Sequence, residues 1–342
     1  MLGSSRRNTC QQQLPASKSR RNTSVEREHG VDRVKAVATL CVVAIHCQTP
    51  FGIGRTDLLG RAIPALTEWA VPAFFFVGGY VRARTTPYSP GTTRRWLLRL
   101  LPVYLLASLL ALLCRRYVLG ETVALEGIPL SLLTGSAWGV YYFVPLFLGV
   151  LVFSHALARW PRSGPWICTI SIAALVLTRW NPDLDPFWRA AGFHGIARSP
   201  LFWWGYFCAG WVIKQRLERT HSGLIVALSA IAAVVCLVAI LAEAPPLAKA
   251  LARVGVSIAV PMALLFASVR RLGSAMALLS EHSYEVYLFH FFAIAIAQHW
   301  GLKDTGVAAS LALWAIAFTS GLGAAILSRY ALQRVTSSAL RS

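Results

Sequence analysis

A basic residue and a histidine share one face of an apolar stretch near the start of the chain. Lys35 precedes His46 by eleven residues, which is about three helical turns and about 16 Å of helix. A helix over this stretch therefore carries a cation at its rim and an imidazole deep inside. Ionisable side chains are costly within membrane-length apolar segments, so both residues are candidates for function.

This arrangement suits the transfer of a group from a phosphate-bearing donor. A cation at the rim holds phosphate while a thin reactive arm reaches inward to the histidine, and coenzyme A has that shape. Histidine is a suitable base because its ordinary pKa of about 6.5 lets it accept and return a proton at neutral pH. The alternative without chemistry is a histidine bonded to a backbone carbonyl or to water inside a bundle.

Three arginines form a second cluster just before another apolar segment. Arg95 and Arg99 are four residues apart and share a helical face, and Arg94 adjoins them. The planar guanidinium matches two phosphate oxygens at once, so this cluster is a candidate phosphate site. The alternative is an anchor that only fixes the orientation of the segment in the membrane.

Two acids are expected inside or at the edge of apolar segments, Glu68 and Glu285. Each either pairs with a cation in the membrane or orients an imidazole. Glu285 follows His282 by three residues, so these two side chains can meet on one face. Tyr287 and His290 lie further along the same segment as candidates for lining a substrate cavity, with ordinary packing as the alternative.

Long apolar runs separate these candidates and define the class of protein. The 342 residues are 56% hydrophobic and 14% charged, with a mean hydropathy of +0.55, whereas an average soluble domain is roughly 45–50% apolar. The composition excludes a disordered chain and argues against a soluble globule. It predicts a polytopic membrane protein.

Ten apolar segments of about 15 to 25 residues follow one another, the length that a helix needs to cross a hydrocarbon core about 30 Å thick. Their approximate limits are 34–53, 64–82, 96–118, 137–158, 166–180, 199–214, 222–243, 250–269, 282–300 and 306–328. The predicted fold class is therefore all-α, a transmembrane helical bundle of about ten spans.

Basic residues collect in cytoplasmic loops, which orients the spans. With the N-terminus inside, 23 of the 33 lysines and arginines face the cytoplasm, so we expect both termini there. We predict a disordered basic tail over 1–30, a transmembrane domain over 31–330 and a short cytoplasmic tail over 331–342. The expected location is the cell membrane, a bacterial inner or plasma membrane.

The net charge of +19 does not predict nucleic-acid binding, because membrane-length segments divide it into short clusters. Anionic lipids and an anionic cosubstrate are the expected partners. The seven cysteines show no paired spacing, so neither a disulfide framework nor a zinc site follows, and no metal is assigned.

Four stretches resemble the acyltransferase 3 family in the expected order. They read VDRVKAVATLCVVAIHC from Val31, VPAFFFVGGYVRAR from Val71, RRWLLRLLPVYLL from Arg94 and SYEVYLFHFF from Ser283. In the first stretch, Asp32, Lys35 and His46 fall on the aspartate, the basic residue and the catalytic histidine of the family. The resemblance covers about 31–330. It departs at Gly78, where the family usually has serine, which puts any role of a serine hydroxyl in doubt.

The resemblance implies an acyltransferase that uses acyl-CoA, with acetyl as the expected group. The acceptor would be a hydroxyl of a carbohydrate or another polar molecule. His46 would act as base or acyl relay, Asp32 would fix Lys35 or Arg33, and Glu285 is a further catalytic candidate. Lys35 and the three arginines would hold the donor phosphates, while Glu68, Tyr287 and His290 would face the acceptor. No metal is required.

Two other functions stay open at this stage. A transporter or flippase of a polar or lipid-linked metabolite also needs charge within the membrane, although no internal repeat is visible in the sequence. A haem or quinone protein with histidine ligands has weaker support. If the transferase interpretation holds, a partner protein is a possible recipient of the acyl group on the outer side.

Overall fold

The computed structural model describes residues 29–48, 58–83, 90–159, 163–181, 200–217, 222–242, 244–268, 273–301 and 306–339. Every regular element within these ranges is a helix, which confirms the all-α class. Residues 1–28 of the predicted basic tail lie outside the described residues. Only the end of that segment, from His29, belongs to the first helix.

Thirteen α-helices and one short 3-10 helix follow one another in the described residues. They are α1 (His29–Gln48), α2 (Leu58–Thr67), α3 (Ala70–Arg82), α4 (Pro90–Tyr117), the 3-10 helix Leu125–Gly127, α5 (Ile128–Thr134), α6 (Phe143–Arg159), α7 (Gly164–Trp180), α8 (Pro200–Arg216), α9 (Ser222–Leu241), α10 (Pro246–Phe266), α11 (Ser274–Glu281), α12 (Ser283–His299) and α13 (Gly306–Ala339). The last helix continues into the segment predicted as a C-terminal tail.

Each of the ten predicted apolar segments overlaps a helix, and the second overlaps α2 and α3 together. Five helical stretches of the described chain are long and apolar enough to cross a membrane: Ala62–Arg82, Thr93–Tyr117, Gly223–Leu241, Pro246–Phe266 and Ala309–Tyr330. Helices α6, α7 and α12 are apolar but shorter. The chain is thus an all-helical membrane protein, whereas the count of ten spans and the position of the termini stay predictions.

Helix α9 shows what the outer surface of the bundle faces. Leu224, Leu228, Ile231, Val235 and Val238 are 58 to 61% exposed, and the helix is the most apolar of the five candidate spans. Contiguous apolar surface of this kind marks contact with lipid or with another protein. The opposite side of α9 packs along α10.

Helices α3 and α8 cross with their backbones in close contact. A Cβ atom at Gly79 would lie 1.9 Å from the carbonyl oxygen of Phe207, and one at Gly210 would lie 1.9 Å from that of Phe76. Small residues let membrane helices approach in this way. Gly79 is therefore a packing residue, and it fixes α3 as one wall of the bundle.

Helix α1 lies at the centre of the bundle and packs against α2, α3, α10, α11, α12 and α13. Its small side chains explain this position, since Ala36, Ala38, Val42 and Val43 are fully buried. Neighbouring helices therefore surround the helix that carries both predicted chemical groups.

Candidate active site

A cavity opens beside the first turns of α1. Its volume is about 380 Å³, within the roughly 300–1,000 Å³ typical of ligand pockets. Its wall contains Lys35, Arg95 and Arg99, three of the four cations predicted to bind donor phosphates. Positive side chains from α1 and α4, far apart in sequence, thus converge on one cavity.

The basic wall of the cavity comes from one face of α4. Arg95, Trp96, Arg99 and Leu100 line the cavity, and their spacing places them on adjacent rows of one helix. The Nε of Arg95 donates a hydrogen bond to the Gly91 carbonyl at 3.3 Å. Among the described residues, the guanidinium of Arg99 has no hydrogen-bond or ion-pair partner. A ligand can therefore engage Arg99 without displacing a partner.

Arg94 occupies a different position from its neighbours. All three arginines are exposed, but the described wall of the cavity does not include Arg94. Successive residues of a helix are rotated by about 100°, so adjacent arginines point in different directions. The sequence groups Arg94 with Arg95, whereas the helix separates them.

Gly78 adjoins an aromatic ring in the apolar part of the same wall. Phe74, Val77 and Phe147 line this part of the cavity. A Cβ atom at Gly78 would lie 2.8 Å from Cε2 of Phe147, which is closer than van der Waals contact allows. The ring of Phe147 thus occupies the space that a serine at this position would need.

Arg329 of α13 holds two acidic side chains where α11 meets α12. Its Nε lies 2.8 Å from Oε1 of Glu285, and its Nη1 lies 2.9 Å from Oε1 of Glu281. Glu281 belongs to the wall of the cavity, so Arg329 offsets a negative charge there. Glu285 is 5% exposed. Glu285 thus pairs with a cation, which is the first of the two roles expected for it.

His282 lies between α11 and α12, beside these acids. Glu285 hydrogen-bonds Arg329 among the described residues, and the Nδ1 of His282 is buried without a hydrogen bond. The pair shares one region, as the spacing predicts, but Glu285 does not hydrogen-bond the imidazole.

Two charged residues at the start of α1 tie it to neighbouring helices. The Oγ of Ser280 donates to Oδ1 of Asp32 at 2.6 Å. Arg33 donates from Nη1 to the Leu264 carbonyl at 2.7 Å, at the end of α10 where unpaired carbonyls and the helix dipole favour a cation. Both contacts fix the rotation of α1, and so the direction in which Lys35 points.

His46 lies against His290 near the other end of α1. The two ring centroids are 5.3 Å apart with an angle of 31° between the planes, and the edge of Phe291 packs against His46 at 5.8 Å. His46 is partly exposed, and it is not among the described residues that line the donor cavity. The structure thus adds a second imidazole to the predicted catalytic residue.

His290 is held firmly on α12. It is fully buried, its Nδ1 lies 3.1 Å from the Val286 carbonyl, and its Nε2 has no hydrogen-bond partner in the described part of the chain. Gly321 of α13 leaves room for its backbone, because a Cβ there would lie 3.2 Å from the His290 Cα. The Tyr287 hydroxyl hydrogen-bonds the Val140 carbonyl. Of the two predicted substrate residues on α12, His290 thus retains a free nitrogen.

Glu68 meets two arginines at a separate place in the bundle. It follows α2, and its Oε2 lies 3.8 Å from Nη1 of Arg179 on α7 and 3.5 Å from Nε of Arg253 on α10. The guanidinium of Arg179 also stacks over the Phe202 ring at 5.2 Å. Glu68 is therefore part of an ion cluster that joins three regions of the chain.

Several residues of the cavity were missed from the sequence. Trp96 has a usable signal, because it lies on the same face of α4 as Arg99 three residues later. Phe147 gives no such signal, since it reaches the cavity from a helix whose placement the sequence does not specify. The hydroxyl of Tyr284 donates to the Leu100 carbonyl at 2.9 Å, which joins α12 to α4 at the wall.

Comparison with known proteins decides the family. Residues 28–330 match the sequence profile of the acyltransferase 3 family, described as an acyltransferase domain. The chain belongs to this family. The match covers nearly the whole chain and agrees with the resemblance carried by the four sequence stretches. Membership indicates a membrane-bound acyltransferase.

One curated relative is a protein named serine/alanine racemase from Enterococcus gallinarum. It is 26% identical over 220 residues, which cover 56% of this chain and 30% of the relative. The chain therefore spans about a third of the length of that protein. No solved structure shows a significant match.

Proposed function

We propose that the protein transfers an acyl group, with acetyl as the expected group, from cytoplasmic acyl-CoA to a hydroxyl of a carbohydrate or another polar acceptor. Family membership supports the transferase class. The donor, the acetyl group and the carbohydrate acceptor are what the family resemblance implies, and the basic cavity beside α1 supports a donor that carries phosphates.

One observation carries the proposal. The cavity that holds Lys35, Arg95 and Arg99 lies beside the same helix that carries His46, about 16 Å further along its axis. An extended donor can therefore keep its phosphates among the cations while its thioester approaches the imidazole. Arginine binds phosphate oxygens in pairs, and lysine adds a point charge.

Two routes of acyl transfer fit this geometry. In the first, His46 accepts the proton of the acceptor hydroxyl as the oxygen attacks the thioester carbonyl, the C–S bond breaks, and the thiolate of coenzyme A then takes up a proton. In the second, an imidazole nitrogen attacks the thioester, and the resulting acyl-histidine passes its acyl group to the hydroxyl. Both routes release one thiol for each ester formed.

His290 would position His46 rather than react first. Its Nδ1 is engaged by the Val286 carbonyl, and its ring packs beside that of His46. The unpartnered Nε2 is suited to hydrogen-bond the acceptor hydroxyl or a water next to it. Glu285 and Asp32 would contribute indirectly. Glu285 would act through its ion pair with Arg329, and Asp32 would act by anchoring α1.

Purified protein in proteoliposomes tests the proposal. We expect thiol release from acetyl-CoA that depends on an added acceptor, with polysaccharide fragments and hydroxyl-bearing amino acids as the first acceptors. The name of the enterococcal relative motivates including serine in that set. Radiolabelled acetyl-CoA without acceptor separates the routes, because only the relay leaves label bound to His46. Donor binding without any acetyl transfer or thiol release would contradict the proposal.

Transport of a polar or lipid-linked metabolite is the alternative function. The charge cluster at Glu68, Arg179 and Arg253 favours it, because transporters also keep charge at mid-membrane sites. Uptake of labelled acceptor into vesicles without acyl-CoA would indicate a carrier. Ester formation with coenzyme A release would indicate the transferase.

A further inference from the structure

The ion cluster at Glu68 carries an excess of positive charge. Among the described residues there, the guanidinium groups of Arg179 and Arg253 contact one carboxylate, that of Glu68. The formal charge of the three side chains is therefore +1. An uncompensated charge is costly where water is scarce, so a cluster of this composition favours an anion.

Some buried polar atoms in and beside the cluster have no hydrogen-bond partner among the described residues. Among the described residues, the Nε of Arg179 and the hydroxyl of Tyr206 are buried without a hydrogen bond of normal geometry. Tyr206 is fully buried next to Arg179, Ser257 and Glu68. Buried donors of this kind normally have partners. The charge excess and the open donors are separate observations that point to the same kind of ligand.

The cluster is also open enough to admit a ligand. The side chains of Arg253, Glu68 and Arg179 are 42%, 34% and 19% exposed. Exposure thus decreases from Arg253 inward to Arg179 and to the buried Tyr206. The charged groups thus lie on the exposed side of the cluster, and the aromatic hydroxyl lies on its buried side.

The cluster lies about as deep in the bundle as His46. Arg253 precedes Leu264 by eleven residues on α10, and Leu264 is where Arg33 of α1 binds. His46 lies a similar distance beyond Arg33 on α1, about 16 to 20 Å in both cases. Helices α1 and α10 pack side by side. The cluster is thus at the end of the bundle away from the donor cavity, near the level of the proposed base.

We propose that Arg179, Arg253 and Tyr206 form a binding site for one singly charged anionic group, a carboxylate or a phosphodiester, with Glu68 setting the charge of the site. A single negative charge brings the cluster to neutrality, and the guanidinium fork matches both groups. The identification of this group as part of the acyl acceptor rests on the proposed function. The anion site itself does not.

Binding of glucuronate to the protein in maltoside micelles, without acyl-CoA, tests the site. Tryptophan fluorescence is a suitable signal because Trp69 follows Glu68 directly. We expect saturable binding of glucuronate and none of glucose. Arg253→Gln and Arg179→Gln should weaken glucuronate binding at least about tenfold, the loss expected for hydrogen bonds to a charged group. Arg115→Gln is the matched control, because Arg115 forms an ion pair with Glu121 elsewhere.

Glu68→Gln distinguishes an anion site from a purely structural ion cluster. Removing the carboxylate raises the charge of the cluster to +2, so anion binding should become tighter. A structural cluster would instead lose thermal stability without any change in anion affinity. Arg179→Lys retains the charge without the fork and should bind with intermediate affinity, which keeps the test valid if Arg179→Gln fails to fold.

A competition experiment distinguishes the two sources of the anionic group, a membrane lipid and the acyl acceptor. Phosphatidylglycerol added to the micelles should displace glucuronate if the site accepts a lipid phosphodiester, and should have no effect if it selects the acceptor. Either result supports the site. Equal affinity of wild type, Arg179→Gln and Arg253→Gln for both probes would overturn it, whatever the acyltransferase activity of the protein.

Discussion

The imidazole rings of His46 and His290 lie 5.3 Å apart between their centroids, on two helices that pack against each other. His290 is fixed in turn by the Val286 carbonyl and by close contact with Gly321. His46, the predicted base, therefore packs beside a second imidazole that comes from near the other end of the sequence. A histidine pair of this kind can hold one proton and present one free nitrogen.

His290→Asn is expected to lower kcat by about tenfold or more while acetyl-CoA binding stays unchanged. The asparagine retains a polar group but loses the ring that packs beside His46, so the base is held less precisely. Steady-state thiol release and equilibrium donor binding, measured on the same preparation, check this expectation. An unchanged kcat would show that His290 only packs.

Arg99→Gln should raise the Kd for acetyl-CoA by about tenfold or more, because a charged hydrogen bond to phosphate contributes roughly 1.5–3 kcal/mol. Arg94→Gln is the natural control, since Arg94 adjoins the same cluster but lies outside the described cavity wall. Isothermal titration with acetyl-CoA and with dephospho-CoA measures the effect. Equal losses in the two variants would mean that the cations act only through the summed positive charge of the cluster on α4.

Glu285→Gln is expected to lower the stability of the fold more than it lowers kcat. Loss of a buried partner of Arg329 should cost about 1–3 kcal/mol, less than for a fully buried pair because Arg329 is partly exposed. Thermal unfolding in micelles gives the stability, and kcat per folded molecule gives the chemistry. A loss of kcat beyond about a hundredfold with unchanged unfolding temperature would instead make Glu285 a catalytic residue.

Gly78→Ser should narrow the donor cavity, because the ring of Phe147 occupies the space that the new side chain needs. We expect weaker acetyl-CoA binding in the single variant and recovery in Gly78→Ser, Phe147→Leu, where the smaller side chain yields room. The two single variants and the double variant form a cycle measured by donor Kd. If the effects of the two single substitutions on donor Kd simply add in the double variant, the side chains at positions 78 and 147 are not sterically coupled.

Much of the fold follows from hydropathy, and parts of the site follow from spacing along single helices. Each apolar run overlaps a helix because burial in lipid demands internal backbone hydrogen bonding. Lys35 and His46 share α1, and Arg95 and Arg99 share α4, so the relation within each pair is fixed by helical geometry. The same reasoning grouped Arg94 with its neighbours, whereas the helix turns it out of the described cavity wall.

What the sequence could not provide are contacts between helices. Arg33 at the end of α10, Arg329 between two glutamates, and Arg179 beside Glu68 each depend on how distant segments pack. Periodicity shows which face of a helix is apolar but not which helix covers it. For the same reason, the contact of His290 with His46 has no signal in either segment alone.

The most direct measurement compares wild type, His46→Ala and Lys35→Ala in proteoliposomes with matched amounts of folded protein. Acetyl-CoA binding and acceptor-dependent thiol release are followed in parallel. We predict that His46→Ala binds donor normally but loses at least about a hundredfold in turnover, whereas Lys35→Ala mainly weakens donor binding. Normal turnover by His46→Ala, or no donor binding by wild type, would contradict the acyl-transfer mechanism and favour transport.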